Sequence, residues 1–218
     1  MPRIGVLLSG CGVNDGSEIH EAVLTMLALD RLGAQRLCLA PNILQRDVVD
    51  HLQGKVVGEK RNVLVEAARI ARGEISDLAG VKAADLDALI LPGGFGAAKN
   101  LSDFAVAGAA TVVESEVRRL LRELHRSGKP LGAICIAPAV LARALGDFKP
   151  LLTIGNDLAT AEILESFGAR HQNCPVDGIV VDEVNRLVTT PAYMLGPGLR
   201  EIALGIDKLV AQVVAMAA

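Results

Sequence analysis

The segment Ile4-Gly5-Val6-Leu7-Leu8 carries no polar side chain and stops abruptly at Ser9-Gly10-Cys11-Gly12. A strand that is apolar at consecutive positions has to be covered on both faces, as a central strand of a parallel sheet is. Parallel neighbours need a crossover between them, normally a helix, and the rest of the chain supplies that alternation. Ser17 is placed to cap a helix over 18–32, in which Val23, Met26, Leu27 and Ala28 follow helical spacing before Gly33 ends it. Further strands are expected over 36–40, 86–91 and 129–134, with helices over 62–72, 111–126 and 136–145. A short strand over 151–154, a helix over 158–167 and a hairpin of 178–181 with 187–190 follow. Pro197 is read as the first turn of a last helix reaching about 217. The expected fold is α/β, a doubly wound, mostly parallel sheet with helices on both faces. Residues 41–61 lack periodicity and are read as an insertion of mixed structure in one domain spanning 1–218. Ligands in such sheets sit beyond the carboxyl ends of the strands, which here means the loops 9–17, 92–101 and 135–138.

Composition narrows the function. Hydrophobic residues make up 51% of the chain and aromatics only 2%, so the core must be aliphatic. A net charge of −3 and no tryptophan argue against nucleic-acid or anionic-membrane partners. Cys11, Cys38, Cys135 and Cys174 form no CxxC or metal-ligand spacing and read as reduced thiols. Met1 to Leu8 is apolar for too few residues to be a signal segment. The apolar stretch 202–218 is interrupted by Asp207 and Lys208, which suits a buried helix rather than a span. The expected compartment is the cytoplasm, and no metal or cofactor is expected.

Gly132-Ala133-Ile134-Cys135-Ile136-Ala137-Pro138 places small residues around a cysteine where a strand gives way to a helix. A sharp turn there forces the cysteine into a sparsely populated backbone conformation above the sheet. At the start of a helix the macrodipole favours a thiolate, and the amide of Ile136 can serve an oxyanion. Alone, the segment fits an inert buried cysteine equally well. Leu91-Pro92-Gly93-Gly94 ends another strand, where a glycine pair lets a main-chain N–H face a ligand. Together the two loops supply a nucleophile and two donors.

LPGGFGAAKNL (91–101), GAICIAP (132–138) and DGSEIHEA (15–22) together resemble the DJ-1/PfpI superfamily, with its flavodoxin-like, class I glutamine amidotransferase-like fold. Within it the chain is most similar to the glyoxalase-like, enhancing-lycopene-biosynthesis branch of bacteria. SGCGVNDGSEIHEAVLT (9–25), RNVLVEAARIARGEI (61–75) and VTTPAYML (188–195) extend the similarity over nearly the whole chain.

The resemblance implies a catalytic Cys135 partnered by a carboxylate from the first long helix. Glu21 occupies the matching position, with Glu18 the second choice. It also implies that Gly94 pairs with the amide of Ile136 as an oxyanion donor. His20, beside Glu21 but turned about 100° from it on a helix, is a candidate for the pocket wall. Cys11 either approaches Cys135 or merely fills a tight loop, Cys38 belongs to the core, and Asn100 and Thr190 are candidate polar contacts. His51 and His125 are expected in solvent, and the role of His171 is open. Relatives commonly place a histidine near the strand after the elbow helix, where this chain has Thr153-Ile154-Gly155-Asn156-Asp157. A glutaminase would also need a later His-x-Glu pair, whereas His171 is followed by Gln172 and Asn173. Glutamine hydrolysis is therefore not expected. The implied activity is a glyoxalase-type conversion of a small electrophilic dicarbonyl such as glyoxal, without glutathione, by a homodimer. The alternatives are a thiol redox sensor and an accessory protein in isoprenoid biosynthesis.

Overall fold

The wholly apolar runs form the middle of a seven-stranded sheet in a computed structural model that describes all residues 1–218. In chain order the elements are β1 (Arg3–Leu7), α1 (Ile19–Arg31), β2 (Gln35–Ala40), β3 (Val48–Asp50), β4 (Lys55–Val57), α2 (Val63–Ile70), β5 (Ser76–Asp77) and β6 (Ala88–Leu91). Then come α3 (Phe95–Lys99), α4 (Phe104–Ala107), α5 (Ser115–Arg126), β7 (Leu131–Ile134), α6 (Pro138–Leu145), β8 (Leu151–Leu152) and α7 (Leu158–Ser166). The chain ends with β9 (Arg170–His171), β10 (Val180–Asp182), β11 (Leu187–Thr190) and α8 (Leu199–Ala217).

The sheet runs β10-β11-β7-β6-β1-β2-β5, and only the edge strand β10 is antiparallel to its neighbour. The chain leaves β1 on one side toward β2 and β5, then returns to its other side through β6. The order therefore switches between β1 and β6, where such sheets open a crevice for ligands. Alternate residues of each central strand enter opposite cores. Leu7, Leu89, Leu91 and Leu131 pack with Leu120 and Leu124 of α5 and Val140 of α6. Ile4, Val6, Ile90 and Ile134 pack with Leu29 of α1 and Ile206 and Leu209 of α8. No helix is long and apolar enough to cross a membrane.

Two expected helix starts are corrected. Ser17 does not cap α1, because its hydroxyl already accepts the N–H of Ser9 at 2.8 Å. The cap is Glu18, whose carboxylate accepts the N–H of Glu21 at 2.7 Å. Pro197 lies ahead of α8, which begins after an extended Gly198. Residues 41–61 hold the β3–β4 hairpin, which braces the loop after β1: Asp15 Oδ2 accepts the N–H of Val49 at 2.7 Å.

Candidate active site

β7 is buried along its length and paired on both sides. The N–H of Cys135 carries that pairing one residue further, donating to the carbonyl of Thr190 at 3.0 Å. The chain then reverses sharply: Cys135 has φ of +61°, a region that costs a non-glycine residue about 1–3 kcal/mol. The strain lifts the thiol above the sheet at the foot of α6, where Pro138 opens the helix.

Gly93 and Gly94 close the gap between the end of β6 and this elbow. A Cβ on Gly93 would stand 2.5 Å from Cβ of Cys135 and 2.6 Å from Oε2 of Glu21. Gly94 has φ of +92°, and a side chain there would strike the N–H of Glu18. Only glycine lets three backbone segments meet around one sulfur. Gly93→Ala is accordingly expected to cost about 1–3 kcal/mol of stability and to drive the thiol and carboxyl apart. Chemical denaturation with thiol alkylation reads both effects, and a variant with wild-type values would refute this account.

The amides of Gly94 and Ile136 face the sulfur of Cys135 and favour its charged form, and the Glu21 carboxyl lies beside it across Gly93. Glu21 is fully buried on α1, its Oε2 accepting the N–H of Gly93 at 2.9 Å and its Oε1 that of Tyr193 at 3.3 Å. Burial first, and the Glu18 carboxylate second, push the Glu21 carboxyl up to about 8, so it holds a proton at neutral pH. Burial, then the Glu21 charge, push the Cys135 thiol well above its ordinary value, against the pull of the two amides. The expectation of a thiol made acidic by its helix is thus corrected, because desolvation outweighs the dipole. The two groups ionise as a pair. Once one proton has left, a protonated Glu21 relieves the sulfur of a neighbouring negative charge while the amides remain aimed at it.

Cys135 is only 8% exposed and opens onto a cavity of about 460 Å³. Glu18, Gly94 and Ile136 surround the thiol end, and Phe95, Phe104 and Tyr193 line the cavity further out. His20 does not line it. Exposed on α1, it meets the hydroxyl of Tyr193 through Nδ1 at 2.8 Å and so touches the cavity only through that ring. Tyr193 was not singled out by sequence reasoning. It belongs to the turn after β11, next to Ala192, itself at φ of +42°. A compositional signal was there: of four phenylalanines and one tyrosine in the chain, Phe95, Phe104 and Tyr193 gather here.

Three candidate contacts are corrected. Asn100 is buried as a clamp, its Nδ2 donating to the carbonyls of Ser9 and Asp15, both at 2.9 Å, while its Oδ1 accepts the N–H of Arg46. Thr190 turns its hydroxyl to the carbonyl of Gly178 at 2.7 Å. Cys11 lies outside the cavity, its thiol raised by burial and by the charge of Glu66. Cys38 is in the core. His51 is exposed, as expected, and accepts the N–H of Asn14 at 3.2 Å, whereas His125 is half-buried, meeting Oδ1 of Asn185 at 3.1 Å. His171 accepts the N–H of Ile154 at 3.2 Å, and burial lowers its pKa, so it is a neutral structural acceptor. No histidine lines the cavity, and no three His, Cys, Asp or Glu side chains converge as a metal site.

A switch-point crevice holding a strained cysteine against a buried carboxyl defines a thiol-bearing α/β protein of the class I glutamine amidotransferase-like fold. Comparison with known proteins agrees. The DJ-1/PfpI family matches residues 12–189, and the chain belongs to that family. It is 47% identical over 221 aligned positions to the human glutamine amidotransferase-like class 1 domain-containing protein 3, mitochondrial, covering 97% of this chain and 82% of that one. The rat ES1 protein homolog, mitochondrial, is 45% identical with the same coverage. The crystal structure of an isoprenoid biosynthesis protein with amidotransferase-like domain from Ehrlichia chaffeensis superposes with a TM-score of 0.93 at 40% identity, covering 100% of both chains.

Proposed function

We propose that this protein is a glyoxalase-type enzyme that uses neither glutathione nor metal and converts a small dicarbonyl and water to a 2-hydroxy acid. With glyoxal the product is glycolate. The observation that carries this reading is the meeting of the strained Cys135, the Gly93-Gly94 turn and the buried Glu21 carboxyl within one close approach, with the Gly94 and Ile136 amides facing the sulfur. The reacting form of the pair is the one in which Cys135 is the thiolate and Glu21 keeps its proton. A sulfur lone pair forms the S–C bond to the aldehyde carbon, and the π pair of the carbonyl moves to its oxygen. The amides of Gly94 and Ile136 then turn their support from sulfur to that oxyanion, which takes the Glu21 proton. The Glu21 carboxylate next removes the hydrogen on the same carbon as a proton, leaving an enediol. Return of a proton to the neighbouring carbon gives the thioester of the 2-hydroxy acid. Water attacks the thioester, the C–S bond breaks, and its electron pair returns to sulfur. Dicarbonyl and water enter and the acid leaves, with no oxidant or reductant.

Purified protein incubated with glyoxal and EDTA, without glutathione, is expected to form glycolate mole for mole with glyoxal lost, as read by NMR. No glycolate above a heat-denatured control would refute the reading. A thiol sensor ranks second, because so little of Cys135 is open to peroxide. An accessory role in isoprenoid biosynthesis is suggested by the name of the Ehrlichia relative alone, and co-purification with a defined enzyme would support it. We also propose a homodimer, with light scattering as its test. For compartment we propose the cytoplasm, on the four unpaired cysteines. The human and rat relatives are named mitochondrial, so fractionation decides.

A further inference from the structure

Glyoxal uses little of the space beside Cys135. The cavity measures about 460 Å³, within the range of about 300–1,000 Å³ that takes ligands of drug size. At about 30 Å³ per water molecule, a two-carbon substrate would leave most of it filled with water against apolar walls. Those walls are Val13, Phe95, Ala98, Phe104 and Met194, beyond the thiol end formed by Gly94, Cys135 and Ile136. They include two of the four phenylalanines of an aromatic-poor chain, and Tyr193 adds its only tyrosine.

Charge narrows the occupant further. No lysine, arginine or histidine lines the cavity, and its one ionisable carboxylate is Glu18. An anionic substrate would meet repulsion and no counter-charge, while burying a cation against so many apolar groups would be costly. At the thiol end the Gly94 and Ile136 amides face the reacting carbons, and besides Glu18 the polar side chains of the lining are Thr160 and Tyr193, whose hydroxyl is engaged by His20. The cavity is thus polar where a dicarbonyl would react and apolar where a substituent would extend.

We propose that the preferred substrates are uncharged 2-oxoaldehydes carrying an apolar substituent, a phenyl ring or an alkyl chain of several carbons, seated between Phe95, Phe104 and Met194. This rests on the glyoxalase-type reading and specifies its substrate class. The chemistry is unchanged: the aldehyde carbon bonds to sulfur, the ketone carbon receives the returning proton, and water releases the substituted 2-hydroxy acid. The substituent takes no part in bond making.

The test is a series of substrates for the wild-type protein: glyoxal, methylglyoxal, n-butylglyoxal and phenylglyoxal. Each methylene moved from water into the cavity contributes about 0.8 kcal/mol, so kcat/KM is expected to rise about fourfold per carbon. Phenylglyoxal should exceed glyoxal by about a hundredfold. Ala98→Phe, which fills the cavity, should shrink the phenylglyoxal-to-glyoxal ratio by at least about tenfold, and circular dichroism checks that it is folded. The exposed Ala105→Trp at the edge of the cavity should shrink it in the same direction. Glyoxal turned over through Cys135 with a flat or falling trend along the series would overturn this inference and leave the proposed reaction standing. No turnover of any member, or turnover undiminished in Cys135→Ala, would overturn both.

Discussion

Replacing Cys135 by alanine is expected to lower kcat/KM for every 2-oxoaldehyde by at least about a thousandfold, to the level of the uncatalysed reaction. Every step of the proposed reaction passes through the S–C bond, and no other cysteine lines the cavity. The loss is expected without unfolding. Alanine meets the same backbone penalty at φ of +61° that cysteine does, and the N–H bond to Thr190 is a main-chain bond that the substitution leaves intact. The urea midpoint should correspond to a change within about 1 kcal/mol. Initial rates and equilibrium denaturation on the same preparation separate chemistry from folding. A folded Cys135→Ala protein that keeps a tenth of the wild-type rate would exclude the thiol as nucleophile.

The second large effect is the dependence on pH, and it belongs to Glu21. In the unfolded chain this carboxyl ionises near its ordinary 4.5, and in the native protein it is pushed up to about 8. Between those values the native state keeps a proton that the unfolded state has released, so stability falls as pH rises. The contribution is complete below 4.5 and is lost as pH climbs through 8, amounting to roughly 3–5 kcal/mol across the window. Glu21→Gln cannot ionise and should show no such slope. It should be the less stable protein at pH 5, because its amide nitrogen would face one of two donors, the N–H of Gly93 or of Tyr193. It should become the more stable protein near pH 9, so the two stability curves cross. Parallel curves would contradict the placement of a buried, proton-bearing Glu21. The same proton governs reactivity. Alkylation of Cys135 should be slow at neutral pH and rise only in the alkaline range, and in Glu21→Gln, where no carboxylate charge opposes the thiolate, the profile should move to lower pH.

How far the sequence could be read depends on what each residue does with its polar atoms. The strands around Ile4 and Ile134 were legible because a two-face-buried strand leaves no room for a polar residue. The elbow was legible because its glycines and alanines are needed for close approach. Glu21 came only through the resemblance, since nothing local distinguishes it from Glu18. Once the structure supplies the capping bond from Glu18 to the Glu21 N–H, the two acids part: one holds the helix start, the other faces the sulfur. Asn100 and Thr190 misled because a polar side chain near a strand end looks the same whether it meets ligand or backbone. Here both are consumed by carbonyls of neighbouring loops. Tyr193 escaped because its contribution to the Glu21 carboxyl is a main-chain N–H, a role without a side-chain signature.

The carbonyl of Thr190 that holds the N–H of Cys135 belongs to the strand whose continuation, three residues later, lends an N–H to Glu21. One short run of backbone thus sets the spacing of acid and nucleophile, as a ruler carries two marks. Behind that ruler lies Gly205 of α8, where even a methyl group would come within 2.6 Å of the Thr190 hydroxyl. A substitution on α8, packed beside α1 on the same face of the sheet, can therefore shift both marks without entering the cavity. The acidity of the thiol is adjustable from a helix that substrate never meets.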